Sequence, residues 1–267
     1  MVGLLQEHGP CRINNDTEDV SLNPYSWNEV SNMIYIDQPV RTGFSYGEAM
    51  VSSSEAAAAD LWKFFQLFFS DKRFRKYQKN DFGIWTESYG GHYGPAFASH
   101  FLEQNAAIAR GKVSGVSVNV KFLGIGDGII LVCNGNILIP LAGEYNQYDV
   151  RATDRSYPPD LYEFLYNETV VTAIGSENTG DWMKNSRPIL EKLIDSGVKT
   201  IIYNGDADYM FNYIGLEAMM DKLQTKYTAR WHQEAYRNYT VRGQVTGLYK
   251  NIGSLSYARI FGAWVTI

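Results

Sequence analysis

Apolar positions along this chain follow two spacings, and they separate it into alternating strands and helices. Asn32–Asp37 (Asn-Met-Ile-Tyr-Ile-Asp) is a β-branched and aromatic run ended by Gln38-Pro39, which predicts a buried strand. From Ser52 to Phe69, Leu61, Phe64, Phe65 and Phe68 recur at helical spacing after a Ser/Glu start, which predicts a helix capped at Ser53 or Ser54. Asp81–Thr86 predicts a second strand, about Tyr93–Ala109 a helix, and Val120–Ile125 a third strand. Arg187–Ser196 is amphipathic, with Pro188 early and Gly197 as its stop. Val198–Tyr203 predicts a fourth strand, Ile214–Leu223 a helix, and Thr240–Lys250 and Leu255–Phe261 late strands. Strands that alternate with helices imply an α/β protein with a largely parallel sheet. Residues 129–180 are the least regular and read as an insertion or cap, with a short helix over Asp160–Tyr166 after Pro158-Pro159.

Composition narrows the class. Of 267 residues, 45% are apolar and 20% charged, so a packed core is expected and disorder is excluded as the main state. The length suits one domain over residues 1–267 with that insertion inside it. Net charge is −5, and the densest basic group, Lys72-Arg73-Phe74-Arg75-Lys76, follows a helical pattern as a solvated helix end. Nucleic acid is therefore not an expected partner. Cys11 and Cys133 could form one bridge, and their spacing leaves the pairing open. No C-x-x-C or H-E-x-x-H spacing occurs, so neither a metal nor a cofactor is expected. The most apolar stretch, Phe122–Ala142, is broken by Asp127, Asn134 and Asn136, which excludes a membrane span there. Met1–Pro10 lacks the basic and apolar regions of a signal peptide. Asn15, Asn167 and Asn238 each open a glycosylation sequon.

The sharpest chemical feature is Ser88, between an apolar strand and a helix. A nucleophile elbow lifts a serine Oγ out of a sheet on such a turn and needs small residues two before and two after it. Gly90 meets that need, while Thr86 stands where glycine is usual. The second feature is Gly205-Asp206-Ala207-Asp208, after a later strand. Ligand sites in open α/β sheets lie beyond the carboxyl ends of strands. Of the four histidines, His8, His92 and His100 read as structural, and His232 is a weak candidate for a base.

Five segments in order resemble the serine carboxypeptidase family: Asn23-Pro-Tyr-Ser-Trp-Asn28, Ile36-Asp-Gln-Pro39, Gly43-Phe-Ser-Tyr46, Glu87-Ser-Tyr-Gly-Gly-His-Tyr93 and Tyr203-Asn-Gly-Asp-Ala-Asp208. The wording from Trp85 to Pro95 looks most like the fungal secreted members. The resemblance implies an α/β-hydrolase fold, a doubly wound, mostly parallel sheet. It also implies removal of C-terminal residues from peptides through an acyl-enzyme, in mild acid, in a secreted or vacuolar setting. Ser88 is then the nucleophile, Asp208 orients the base, Asp206 is structural, and the Tyr89 N–H is an oxyanion donor. Glu87 and Glu7 are the pair that binds the substrate carboxylate, donating hydrogen bonds while protonated. Met210 and Phe211 line the side-chain pocket or belong to the core.

Measured against that family, the chain carries no Asn-Gly-Gly-Pro-Gly segment before Met1 and no histidine after Phe261-Gly-Ala263; Trp264 follows instead. Three expectations follow. The sheet lacks N-terminal strands, leaving a gap or direct pairing between Asn32–Asp37 and Asp81–Thr86. The cap is shortened. The chain is nearly inert, as a fragmentary copy. A non-catalytic peptide-binding remnant and an acyltransferase or esterase of the same fold are the alternative functions.

Overall fold

The computed structural model describes residues 2–14, 19–130, 151, 181 and 184–264. The expected helix at Asp160–Tyr166, most of the expected insertion, Asn15, Asn167 and Cys133 lie outside the described residues.

Two short strands, β1 (Cys11–Ile13) and β2 (Val20–Leu22), pair antiparallel near the start of the chain. Helix α1 (Ser54–Ser70) begins as its sequence demands: the Ser53 side chain accepts from the Ala56 N–H. Its buried face presents Trp62, Phe65 and Phe69 to the core. Strand β3 (Phe82–Glu87) leads into α2 (Gly90–Ala109), which begins a turn earlier than the apolar pattern alone predicts. Then follow β4 (Val120–Gly126), α3 (Arg187–Ser196), β5 (Lys199–Gly205), α4 (Tyr213–Asp221) and α5 (Thr228–Gln233). Strands β6 (Arg237–Val241), β7 (Gln244–Ile252) and β8 (Leu255–Ile260) close the fold.

The six-stranded sheet has the order β3-β4-β5-β8-β7-β6. The first four run parallel, and β7 and β6 are antiparallel additions. The late strand expected over Thr240–Lys250 is two strands. Arg242 and Gly243, with φ of 48° and 81°, make the two-residue turn between β6 and β7, and two positive φ values suit the twist of a hairpin. Residues such as Leu123, Ile125 and Ile202 are fully buried, as parallel strands covered on both faces require. Phe65 meets Phe82 and Phe101 edge to face, joining α1, β3 and α2 in one aromatic core.

Asn32–Asp37 is the expectation that fails. Residues 32–38 belong to no strand, and β3 is an edge of the sheet. A β-branched run becomes a strand only where a neighbouring backbone takes its N–H and C=O groups. None stands beside this run among the described residues, although Ile36 still packs on the core. Of the two expected outcomes, a gap and direct pairing, the fold shows the gap.

Helix α2 contains Pro95, which cannot donate to the carbonyl one turn back at Gly91. The Ser186 hydroxyl, at the head of α3, takes over: its Oγ lies 2.7 Å from Gly91 O, with Ile130 O at 3.1 Å. Ser186 is buried, so Ser186→Ala leaves that carbonyl unsatisfied. The expected loss is about 1–3 kcal/mol of unfolding free energy, read by urea denaturation. A variant as stable as the parent would mean that Gly91 O finds another donor.

Candidate active site

Four parallel strands end along one edge of the sheet, and each delivers a residue there. Ser88 follows β3, Asp127 follows β4, Asp208 lies beyond β5, and Ala263-Trp264 lies beyond β8. The edge is the carboxyl one, where open α/β sheets place their ligands.

Ser88 has φ of 55°, in the left-handed region that a non-glycine residue enters only under constraint. The constraint is visible. Its N–H donates to Gly126 O at 2.9 Å, and its carbonyl accepts from Gly91 N at 3.0 Å and Ile129 N at 2.8 Å. Thr86 fits at the position where glycine is usual because its neighbours give up room. A Cβ on Gly90 would stand 2.4 Å from Thr86 Cβ, and one on Gly94 would stand 2.7 Å from Thr86 Oγ1. The Thr86 hydroxyl donates to Gly90 O at 3.0 Å, with Gly124 O at 3.3 Å. The elbow is thus built from threonine on one side and two glycines on the other. Tyr89 follows at the head of α2, its phenol donating to Asp181 Oδ2 at 2.5 Å.

Asp208 is buried, and its Oδ1 accepts from Phe211 N at 2.7 Å. Asp206 has a different task. Its N–H donates to Ile260 O and its Oδ1 accepts from Gly262 N at 2.7 Å, so it joins the ends of β5 and β8. Met210 and Phe211 pack with Tyr89, Ile129 and Trp264 in a small apolar cluster beside the elbow. The Trp264 side chain therefore belongs to the cluster formed by Ile129 and Phe211. Ala207 N donates to Ala263 O at 2.9 Å, which holds the segment after β8 against the acid loop.

Glu87, Glu7, Asp127 and Asp208 form one acidic cluster. Burial pushes the Glu87 carboxyl up to about 9, reinforced by the charges of Glu7, Asp127 and Asp208. Burial also raises Glu7, on the π-helical turn Gly3–Glu7. Its backbone carbonyl is held by Arg12 and by Asn23.

Asp127 is the site residue the sequence reading passed over. It is fully buried, with φ of 43°, and burial followed by the charge of Asp208 pushes its carboxyl up to about 8. Its Oδ1 accepts from Asn204 Nδ2 and from Gly205 N, and its Oδ2 has no hydrogen-bond partner among the described residues. Asn204 also donates to Phe211 O at 2.7 Å, so Asp127 braces both ends of the Asp208 loop. The available signal was a carboxylate between glycines, directly after an apolar strand.

The histidines stand elsewhere. His8 stacks on Trp27 and its Nδ1 lies 3.0 Å from the Tyr35 hydroxyl. His92 is buried in α2, His100 faces Trp62, and His232 is on α5. Asn238 is exposed on β6, and no described helix is long and apolar enough to cross a membrane.

Known proteins resemble this chain over nearly its whole length. The profile of the serine carboxypeptidase family matches residues 1–154 and 158–264. Carboxypeptidase S1 of Penicillium janthinellum is 32% identical, with 98% of this chain and 80% of that protein aligned. Carboxypeptidase Y of Komagataella phaffii and that of Schizosaccharomyces pombe are each 28% identical over 98% of this chain, which spans 64% and 35% of their lengths. A solved prohormone-processing carboxypeptidase of Saccharomyces cerevisiae superposes with a TM-score of 0.77 at 19% identity, covering all of this chain and 76% of its own. That likeness gives the α/β-hydrolase fold. With the profile spanning nearly the whole sequence, the chain belongs to the serine carboxypeptidase family.

Proposed function

We propose that the edge carrying Ser88 and Asp208 is the site of serine-type carboxypeptidase chemistry, and that this chain performs it very slowly. The observation that carries the reading is Ser88 held at φ of 55° on a strand-to-helix turn, on the same sheet edge as a buried Asp208. In the reaction, Ser88 Oγ attacks the carbonyl of the last peptide bond, the C-terminal residue leaves, and water releases the acyl group. The Tyr89 N–H, at the start of α2, suits the developing oxyanion. Glu87, kept neutral by burial, donates a hydrogen bond to the substrate carboxylate, and Glu7, whose carboxyl burial also raises, is its partner. Asp208 orients a base, and just beyond β8 stands Trp264, packed beside Met210 and Phe211. Removing the base from a comparable triad costs on the order of 10⁶ in kcat. The same Trp264 favours a second reading, a non-catalytic binder of peptide C-termini. The partner in both is a peptide with a free C-terminus. A secreted or vacuolar setting suits the exposed sequon at Asn238.

Two measurements on the purified chain decide these points. A fluorophosphonate probe is expected to label Ser88 slowly, and rapid stoichiometric labelling would overturn the inert reading. A peptide with a free C-terminus is expected to bind at pH 5 and to be released as pH rises through about 9, where Glu87 ionises. Equal binding of its C-terminal amide would remove the carboxylate site from the proposal.

A further inference from the structure

The Tyr89 N–H belongs to the same peptide unit as the Ser88 carbonyl. A peptide unit is planar, with its C=O and N–H pointing opposite ways, so holding one end constrains the other. Two backbone donors hold the carbonyl end, Gly91 N at 3.0 Å and Ile129 N at 2.8 Å. The other end of the unit is the Tyr89 Cα. On its far side, the Tyr89 carbonyl accepts from His92 N at 2.9 Å and Tyr93 N at 3.3 Å in the first turn of α2. The Tyr89 ring packs on the cluster of Ile129 and Phe211 and meets Tyr93 edge to face. Its phenol then reaches Asp181 Oδ2 at 2.5 Å.

Asp181 is a firm anchor for that phenol. It is buried, and its Oδ2 also accepts from the Ser54 hydroxyl at 2.7 Å and the Ser54 N–H at 3.3 Å, at the start of α1. Its Oδ1 lies 2.7 Å from Lys184 Nζ, which donates to Glu55 Oε2 at 2.9 Å. These donors hold the carboxyl down to about 2, against the opposing effect of burial. A phenol donating to a carboxylate forms a short, charge-assisted bond. One carboxylate thus ties the head of α1 and the stretch before α3 to the residue that follows Ser88. Tyr89 is held at both ends, by α2 at its carbonyl and by Asp181 at its ring tip.

We propose that Asp181 is a positioning residue for the chemistry at Ser88: by holding the Tyr89 phenol it fixes the Cα end of the Ser88–Tyr89 peptide and so aims the Tyr89 N–H. This rests on the carboxypeptidase reading of Ser88. Asp181 touches no substrate and acts only through Tyr89.

The test is fluorophosphonate labelling of Ser88 in the whole chain, resolved into a limiting rate and a half-saturating probe concentration. Tyr89→Phe removes one oxygen and keeps the ring in its apolar cluster. It is expected to lower the limiting rate about tenfold, a part of the 10²–10³ that an oxyanion donor is worth, with half-saturation within about twofold of the parent's. Asp181→Ala is expected to show the same loss, and the double variant no more than either alone, because both break one link. Asp181→Asn keeps an oxygen for the phenol and is expected to retain most of the rate. Glu55→Gln removes only the exposed partner of Lys184 and is expected to label as the parent does. Losses that multiply in the double variant, a loss in Glu55→Gln as large as in Tyr89→Phe, or parental labelling of Tyr89→Phe would overturn the role of Asp181 and leave the reading of Ser88 standing. A parent that never labels at Ser88 would overturn that reading and this proposal with it. Should Asp181→Ala fail to fold, Tyr89→Phe still decides.

Discussion

Acidification from pH 9 to about pH 4 is expected to stabilise this protein. Asp127 moves from 3.8 to about 8 on folding, Glu87 from 4.5 to about 9, and Glu7 also rises. Between the unfolded and folded values the native state binds more protons than the unfolded chain, so stability falls as pH rises. The favourable contribution is complete below the unfolded carboxyl values and is lost as pH passes about 8 to 9. One pKa unit is worth about 1.4 kcal/mol, so even a quarter of the Asp127 shift moves Tm by about 3 °C. His8 and Asp181 are among the groups that set the acid limit. His8, lowered by burial, opposes folding as pH falls below the ordinary histidine value of 6.5. Asp181, held down to about 2 by Lys184, Tyr89 and Ser54 against the opposing pull of burial, withdraws its stabilisation below pH 3.8.

Asp127→Asn isolates one of the buried acids. The amide keeps an oxygen for Asn204 Nδ2 and Gly205 N but cannot ionise. The variant is expected to match the parent near pH 4 and to exceed it above pH 7, with a flatter profile of Tm against pH. An unchanged profile would mean that the carboxyl ionises in the folded protein at its ordinary value. The behaviour suits the proposed carboxylate site, since the protons that stabilise the cluster are those that would bind substrate.

Gly91→Ala is expected to be strongly destabilising. Its Cβ would lie 2.4 Å from Ile129 O and 2.5 Å from Ile129 C, backbone atoms of a residue whose own N–H donates to Ser88 O. A flexible side chain could turn aside, but this backbone cannot, and relief requires moving the start of α2 away from the end of β4. A cost of about 3 kcal/mol or more is expected, at the upper end for an overpacked site. Gly111→Ala provides the contrast. Its φ of 67° strains an alanine, but nothing lies within 4 Å of the added Cβ, so about 1 kcal/mol is expected. Urea midpoints for the two variants measure the difference. If Gly91→Ala cost no more than Gly111→Ala, the elbow would not depend on close backbone contact.

The sequence by itself determined the local elements and their order. Ser53 before an aromatic helix, Pro188 and Gly197 around α3, and the apolar runs of β4 and β5 carry their instructions within a few residues. The strand-to-helix context of Ser88 and the Gly-Asp-Ala-Asp segment were legible for the same reason, and the family followed from their wording. Pairing and burial are decided between distant segments, so only the tertiary structure could settle them. Asn32–Asp37 has a strand's composition, yet no ladder forms without a neighbour. Thr240–Lys250 reads as one run until Arg242 and Gly243 take positive φ. Asp127 looked like an interruption in an apolar stretch. It becomes the brace of the Asp208 loop because β4 and β5 lie side by side and bury its carboxyl against Asn204 and Gly205. Local spacing specifies which backbone shape each segment prefers, whereas a carboxyl's charge and a strand's partners depend on what the fold brings within a few ångströms.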